Sequence, residues 1–224
     1  GYDRLPVAVQ HAAEDFAAAL ARRPAQIAQT ALPLIRDGAT IMTISSSSMV
    51  FAALQHAHDA HKHIRVICLE SRPQREGVDF ARRLAGIGID VTLVVDAAMA
   101  HFMQDVNLVI FGADTVSPRG LVNKIGTYAL ALAADAHGVP AYSLAGTEKF
   151  LPASLLGRFE IEQQDPREIL NEPAPAHLDA INLYFDLTPL DFVAGIVTEE
   201  GVLTPANVEE MLTGIEVHPA LLRS

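Results

Sequence analysis

Five short apolar runs set the rhythm of the chain: ATIMTIS (39–45), IRVICLE (64–70), VTLVVD (91–96), LVIFGAD (108–114) and AYSLAG (141–146). They carry the β-branched residues that suit a pleated strand, and they hold too few polar positions for a strand with one wet face. Near-continuous apolar strands belong to a parallel sheet covered on both sides. Between the runs lie stretches with helical spacing, over 47–60, 77–86, 97–104 and 123–137. Strands alternating with helices of this length predict βαβ units. The expected fold class is α/β, a Rossmann-like parallel β-sheet flanked by helices.

Upstream, Val9, Ala13, Phe16 and Leu20 fall at helical spacing between Pro6 and Arg22, and a second helix is expected from Pro24 to Arg36, closed by Asp37-Gly38. This gives a short N-terminal helical segment, residues 1–38, ahead of a Rossmann-like domain over 39–224. Residues 151–180 are rich in Pro and charge and read as a long excursion. Further strands and turns are expected over 182–205, and a last helix over 206–214. No internal repeat is visible.

Composition narrows the function classes. Half of the 224 residues are hydrophobic and 19% are charged, enough for one large core. The net charge of −11, from 16 basic and 27 acidic residues, argues against nucleic acid as a partner, because phosphate backbones are bound by Lys and Arg that displace counterions. No apolar run reaches the roughly 18 residues that span a bilayer, and GYDRLPVAVQHAAEDF lacks a basic-then-apolar signal pattern. No membrane association is expected. The single cysteine, Cys68, lies in an apolar run and cannot form an intrachain disulfide, which points to the cytoplasm. His56, His58, His61 and His63 are closely spaced without the carboxylate pattern of a zinc enzyme, and read as a solvated helix end. Neither metal nor cofactor is expected.

In parallel α/β sheets, ligands bind beyond the carboxyl ends of the strands. The residues there are polar and charged. Ser45-Ser46-Ser47-Ser48 follows the first strand; free amides at a helix start and the positive end of the helix dipole favour a phosphate, although serine is equally a common cap. Arg72 and Arg75 follow the second strand, where a guanidinium could grip phosphate through two hydrogen bonds or pair with Glu70 or Glu76 on the surface. Asp114 ends the fourth strand. A partly desolvated carboxylate there can act as acid or base, and an Asx turn is the alternative. Asn123-Lys124-Ile125-Gly126-Thr127 is expected to open a helix. A lysine in a first helical turn opposes the dipole unless it faces an anion.

These motifs carry a resemblance. GADTVSPRGLVNKIGTYALALAADAHGVPAYSLAGTEKF (112–150), ESRPQREG (70–77), VTLVVDAAMAHFM (91–103) and FDLTPLDFVAGIVTEEGVLTP (185–205) resemble, in one collinear order, the superfamily that joins the alpha, beta and delta subunits of initiation factor 2B to isomerases of methylthioribose 1-phosphate and ribose 1,5-bisphosphate. The match covers about residues 30 to 215. The resemblance implies a domain that holds a phosphorylated sugar, with Asp114 as the catalytic aspartate and Asn123 and Lys124 as substrate contacts. Ser46, Ser47, Arg72 and Glu76 complete the expected ligand site. The chain also departs from the isomerases. Ser45 stands where they have the cysteine of His-Cys-Asn, and serine is a far weaker acid than a thiol. Glu76 replaces a glutamine, and the usual N-terminal helical domain is cut to two helices. The initiation-factor alpha subunit also lacks the cysteine but usually lacks Asp114, so this chain is a hybrid. Two readings follow: an aldose–ketose isomerase of a phosphorylated sugar relying on Asp114, or a non-catalytic regulatory or assembly subunit sensing a sugar phosphate or nucleotide. A homodimer formed through the C-terminal half, with apolar segment 190–205 at its interface, is expected for either.

Overall fold

The computed structural model of the chain describes residues 5–158, 160–170, 172 and 174–222. Its centre is a seven-stranded sheet built from β1 (Thr40–Thr43), β2 (Arg65–Leu69), β3 (Asp90–Val94), β4 (Leu108–Gly112), β7 (Ala141–Leu144), β11 (Gly195–Thr198) and β12 (Gly201–Leu203), in the order β12-β11-β7-β4-β1-β2-β3. Every pairing is parallel except β11 with β12. The order runs outward from β1 through β2 to β3 on one side and through β4 to β7 on the other. This is a doubly wound sheet, with a topological switch between β1 and β4.

Period-2 alternation explains why the strands read as unbroken apolar runs. Ile41, Val66, Cys68 and Ile110 point into one core, packed with Val50, Ala53, Phe80 and Leu84 from α2 (Ser48–Asp59) and α3 (Glu76–Gly86). Met42, Ile67, Leu69, Val109 and Phe111 point into the other, packed with Met99 of α4 (Met99–Phe102), Leu130 and Ala134 of α5 (Thr127–Ala136) and Val208 and Leu212 of α6 (Pro205–Gly214). Cys68 is buried in the first of these cores, and burial pushes its thiol up to about 12. The β3 strand departs from the expected pattern. As the edge strand it leaves Leu93 44% exposed, and Val95 just beyond it 56% exposed.

Three expectations are corrected. The two N-terminal helices are one, α1 (Leu5–Ala31), which continues through Pro24 into a 3-10 turn at Leu32–Leu34. A proline inside a helix costs about 3 kcal/mol. Burial of Ile27, Ala28 and Ala31 in the core shared with α2 offsets that cost. The helix expected over 97–104 is broken into 3-10 and α turns. Most consequentially, Asn123 and Lys124 do not open a helix. They end β6 (Gly120–Lys124), in a three-stranded antiparallel sheet with β5 (Thr115–Ser117) and β10 (Phe185–Thr188). Pairing of Asp186 with Asn123 and of Phe185 with Lys124 captures that backbone in a ladder. Gly126, at φ 100°, then turns the chain into α5.

The long excursion folds back as a two-stranded ribbon, β8 (Gln163–Gln164) with β9 (Asn182–Leu183). Of the apolar residues of 190–205, Val193, Ile196 and Val197 are buried around β11, while Val202 on the edge strand β12 is 41% exposed. Among the described residues, no helix is long and apolar enough to cross a membrane. A four-residue helix, α7 (Pro219–Leu222), ends the described chain.

Candidate functional site

The β1–β4 pairing, with Ile41 opposite Leu108 and Met42 opposite Val109, brings the serine turn and Asp114 to the same edge of the sheet. There a cavity of about 360 Å³ is lined by Ser45, Ser46, Ser47, Glu76, Asp114, Asn123 and Lys124, together with Gln74, Lys149 and Tyr184. The serine turn packs directly on the end of β4. A Cβ added to Gly112 would lie 2.9 Å from Ser47 Cβ, so only glycine allows this approach. Ser47 caps α2, accepting from the Val50 amide, and this places the amino end of α2 at the cavity.

The loops around the site are cross-tied and strained. Ser45, Ser71 and Arg75 all hold left-handed backbone, at φ 68°, 65° and 63°. Non-glycine residues in this region cost of order 1 kcal/mol or more and cluster at functional sites. The ties are specific. The Ser45 amide donates to Ser71 Oγ (2.7 Å), and the amides of Ser71 and Arg72 donate to the two carboxylate oxygens of Asp96 (2.7 Å each). Asp96 thus fixes the loop after β2 from the end of β3. Arg72 is exposed and does not line the cavity. Arg75 pairs with Glu70 at 3.3 Å, the surface pairing that was one of its two readings.

Within the cavity, Lys124 Nζ lies 2.7 Å from Glu76 Oε1, and Ser45 Oγ donates to the same oxygen at 2.9 Å. The Tyr184 ring covers Lys124, with Nζ 4.9 Å from the ring centroid. Asn123 donates from Nδ2 to Thr127 Oγ1 (2.9 Å), tying the end of β6 to the first turn of α5. Lys149 Nζ donates to the Ala113 carbonyl, which sets a second ammonium beside Asp114. Protein crowding raises the Asp114 carboxyl above its ordinary value, and Lys149 and then Lys124 draw it back down. The residue stays exposed, so water screens its charge and the shift costs the fold little.

Further residues act on the site without having been singled out in the sequence. Lys149 sits in the polar stretch after β7. Its loop is anchored by Arg23 of α1, which pairs with Glu148 and with Glu199 (2.8 Å), while Glu199 also accepts from Thr147 Oγ1 (2.7 Å). Tyr184 Oη donates to Glu168, linking the excursion to the cavity wall. Asp186 accepts from the amides of Gly126 (2.8 Å) and Tyr128 (3.2 Å), supplying α5 with the cap its own sequence lacks. Burial pushes Asp186 up to about 6, against the pull of those two amides. The histidines lie at the opposite edge: His58, His61 and His63 line a separate cavity with Lys62 and Arg65.

Two carboxylates, two ammonium groups, hydroxyls and a helix amino terminus facing one small cavity can hold a hydroxylated molecule that carries an anionic group and move a proton on it. Known proteins share parts of this sequence and fold. The chain is 39% identical over 174 residues to the ribose 1,5-bisphosphate isomerase of Methanocaldococcus jannaschii, which covers 76% of this chain and 56% of that protein. Among solved structures it superposes on the translation initiation factor eIF-2B of Pyrococcus horikoshii with a TM-score of 0.76, at 34% identity, covering 86% of this chain and 68% of that one. It superposes on the 5-methylthioribose 1-phosphate isomerase of the same organism with a TM-score of 0.74, at 28% identity, over 83% and 57% of the two chains. The chain spans 56% to 64% of the length of the first ribose 1,5-bisphosphate isomerases it matches. The model of the initiation factor 2 subunit family matches residues 2–205, and the chain belongs to that family.

Proposed function

We propose that the chain binds a phosphorylated pentose in the β1–β4 crevice and interconverts its aldose and ketose forms, with Asp114 as the acid–base group. The observation that carries this reading is the convergence of Asp114, Asn123 and Lys124 with the amino end of α2 on one cavity of about 360 Å³ at the switch point. That volume suits a single small ligand. In a pentose phosphorylated at C1, isomerisation breaks the bond from C1 to the ring oxygen, which takes a proton; a hydrogen passes from C2 to C1, and the C2 hydroxyl gives up its proton to become the ketone while the phosphate stays on C1. Asp114, with its raised affinity for a proton and two lysines nearby, suits that transfer. Ser46, Ser47, Asn123 and Lys124 would orient the ligand, and Lys149 joins them from the rim. Relatives named as ribose 1,5-bisphosphate isomerases and as a putative methylthioribose-1-phosphate isomerase support the substrate class.

One observation favours a second reading. Position 45 carries a serine whose hydroxyl is engaged by Glu76, so the thiol of the related isomerases has no equivalent there. A protein that senses a phosphosugar without converting it fits that feature. Calorimetry and turnover assays against a panel of phosphorylated pentoses separate the two. Binding with conversion supports the isomerase, binding without conversion the sensor, and no binding by any member overturns both. The homodimer belongs to this reading too. The expected interface segment gives Val193, Ile196 and Val197 to the chain's own core but leaves Val202 41% exposed, and Ile169, Leu178 and Ile181 add exposed apolar side chains in the same C-terminal half. A monomer by light scattering at high concentration would refute it. A cytoplasmic setting accords with a lone buried thiol, and cell fractionation checks it.

A further inference from the structure

Lys124 is the deepest cation of the cavity, with its side chain 6% exposed, and it is already occupied. Its ammonium is held by Glu76 Oε1, which also takes the Ser45 hydroxyl. The other oxygen, Oε2, is buried with no hydrogen-bond partner among the described residues, although the Glu76 side chain as a whole is 25% exposed. A carboxylate held for structure is stabilised by donors on both oxygens, since a buried unsatisfied one carries the full desolvation penalty. Here both donors crowd one oxygen and the second has none. Tyr184 closes the face of Lys124 over which its ring lies, so an anion reaching Lys124 competes with Glu76 for the same ammonium.

We infer that Glu76 masks Lys124 and acts as a specificity gate: an incoming anion must displace it, and the freed carboxylate then needs new donors. A phosphosugar supplies them, because its hydroxyls can donate to Glu76 while its phosphate takes Lys124. Sulfate, which carries no proton at neutral pH, supplies none and leaves Glu76 with the Ser45 hydroxyl alone. Glu76 therefore discriminates against sulfate in favour of phosphosugars, by the rule that a site built around buried polar groups rejects ligands that leave them unpaired. The inference rests on the phosphosugar reading for its favoured ligand, but the masking itself does not.

The test compares wild type with Glu76→Gln, measuring dissociation constants for sulfate and for ribose 1,5-bisphosphate by calorimetry, with circular dichroism to confirm folding. Neutralising Glu76 is expected to tighten sulfate binding about tenfold or more, while sugar bisphosphate affinity changes less, so that the preference between them collapses. Glu76→Asp, which keeps the charge at the start of α3 but withdraws it from Lys124, is expected to fall between, and carries the test should the amide variant not fold. Unchanged preference in these variants, with the sugar still bound, overturns the gate and leaves the phosphosugar reading standing. Tighter sulfate with no sugar binding in any protein keeps the mask and overturns that reading. No binding of either ligand to any of the proteins overturns both.

Discussion

Asp186 shows how a single side chain can organise a site it does not line. It reaches from β10 to the first amides of α5 and fixes the turn that follows Asn123 and Lys124. Its carboxyl titrates near 6 in the fold, above its unfolded value of about 3.9. Between these values the folded state holds a proton that the unfolded state has lost, so stability falls as pH rises from about 4 to about 6. Wild type is therefore expected to lose up to about 2 kcal/mol over that window from this group, less than a full two-unit shift would give because the residue is only partly buried. Asp186→Asn, which still accepts both amides, should lack that contribution. Urea denaturation at a series of pH values reads the difference, and parallel profiles for the two proteins would refute it. Most of the site was legible from side-chain chemistry alone: serines at a helix start, a carboxylate at a strand end, an Asn-Lys pair. Asp186 and Tyr184 were not, because each stands on a segment whose position is decided by tertiary pairing. Arg72 shows the converse, since its chemistry suited a phosphate but its side chain lies outside the cavity.

At the scale of elements, apolar runs announced the strands, and their lack of polar alternation announced burial on both faces. Two boundaries failed for identifiable reasons. Asn123 to Thr127 has no breaker before Gly126, so nothing local says that the first two residues belong to a ladder with β10, where Asn123 pairs with Asp186, 63 positions further on. Pro24 reads as a break because local propensity dominates the reading, whereas burial of the following turns holds α1 together. Ile27 is fully buried in the core shared by α1, α2 and the sheet. Ile27→Ala should therefore lower the unfolding free energy by about 2–5 kcal/mol, as cavity-forming changes in a core do. A loss below about 1 kcal/mol in denaturant titration would mean that α1 is an appendage rather than part of the domain. Because Arg23 ties the same helix to the Lys149 loop, the position of α1 also reaches the site.

At the scale of the molecule, strand order determines what the site contains. Ser45 and Asp114 are 69 positions apart in the sequence, and only the adjacency of β1 and β4 lets them face one ligand. The sequence allowed that adjacency without dictating it; the doubly wound order supplies it. The resulting cavity sets Asp114 and Ser45 at one edge of the sheet, and the central question is whether Asp114 moves a proton there. Incubating wild type and Asp114→Asn with ribose 1,5-bisphosphate in deuterated water, and following ketose formation and deuterium incorporation by NMR, asks this directly. Wild type is expected to form the ketose with solvent deuterium on the sugar. Asp114→Asn is expected to bind with comparable affinity and convert it about 10²–10⁴-fold more slowly, the range lost with a general acid–base group. Conversion at the same rate by both proteins, or tight binding by wild type with no exchange at all, would contradict the role assigned to Asp114.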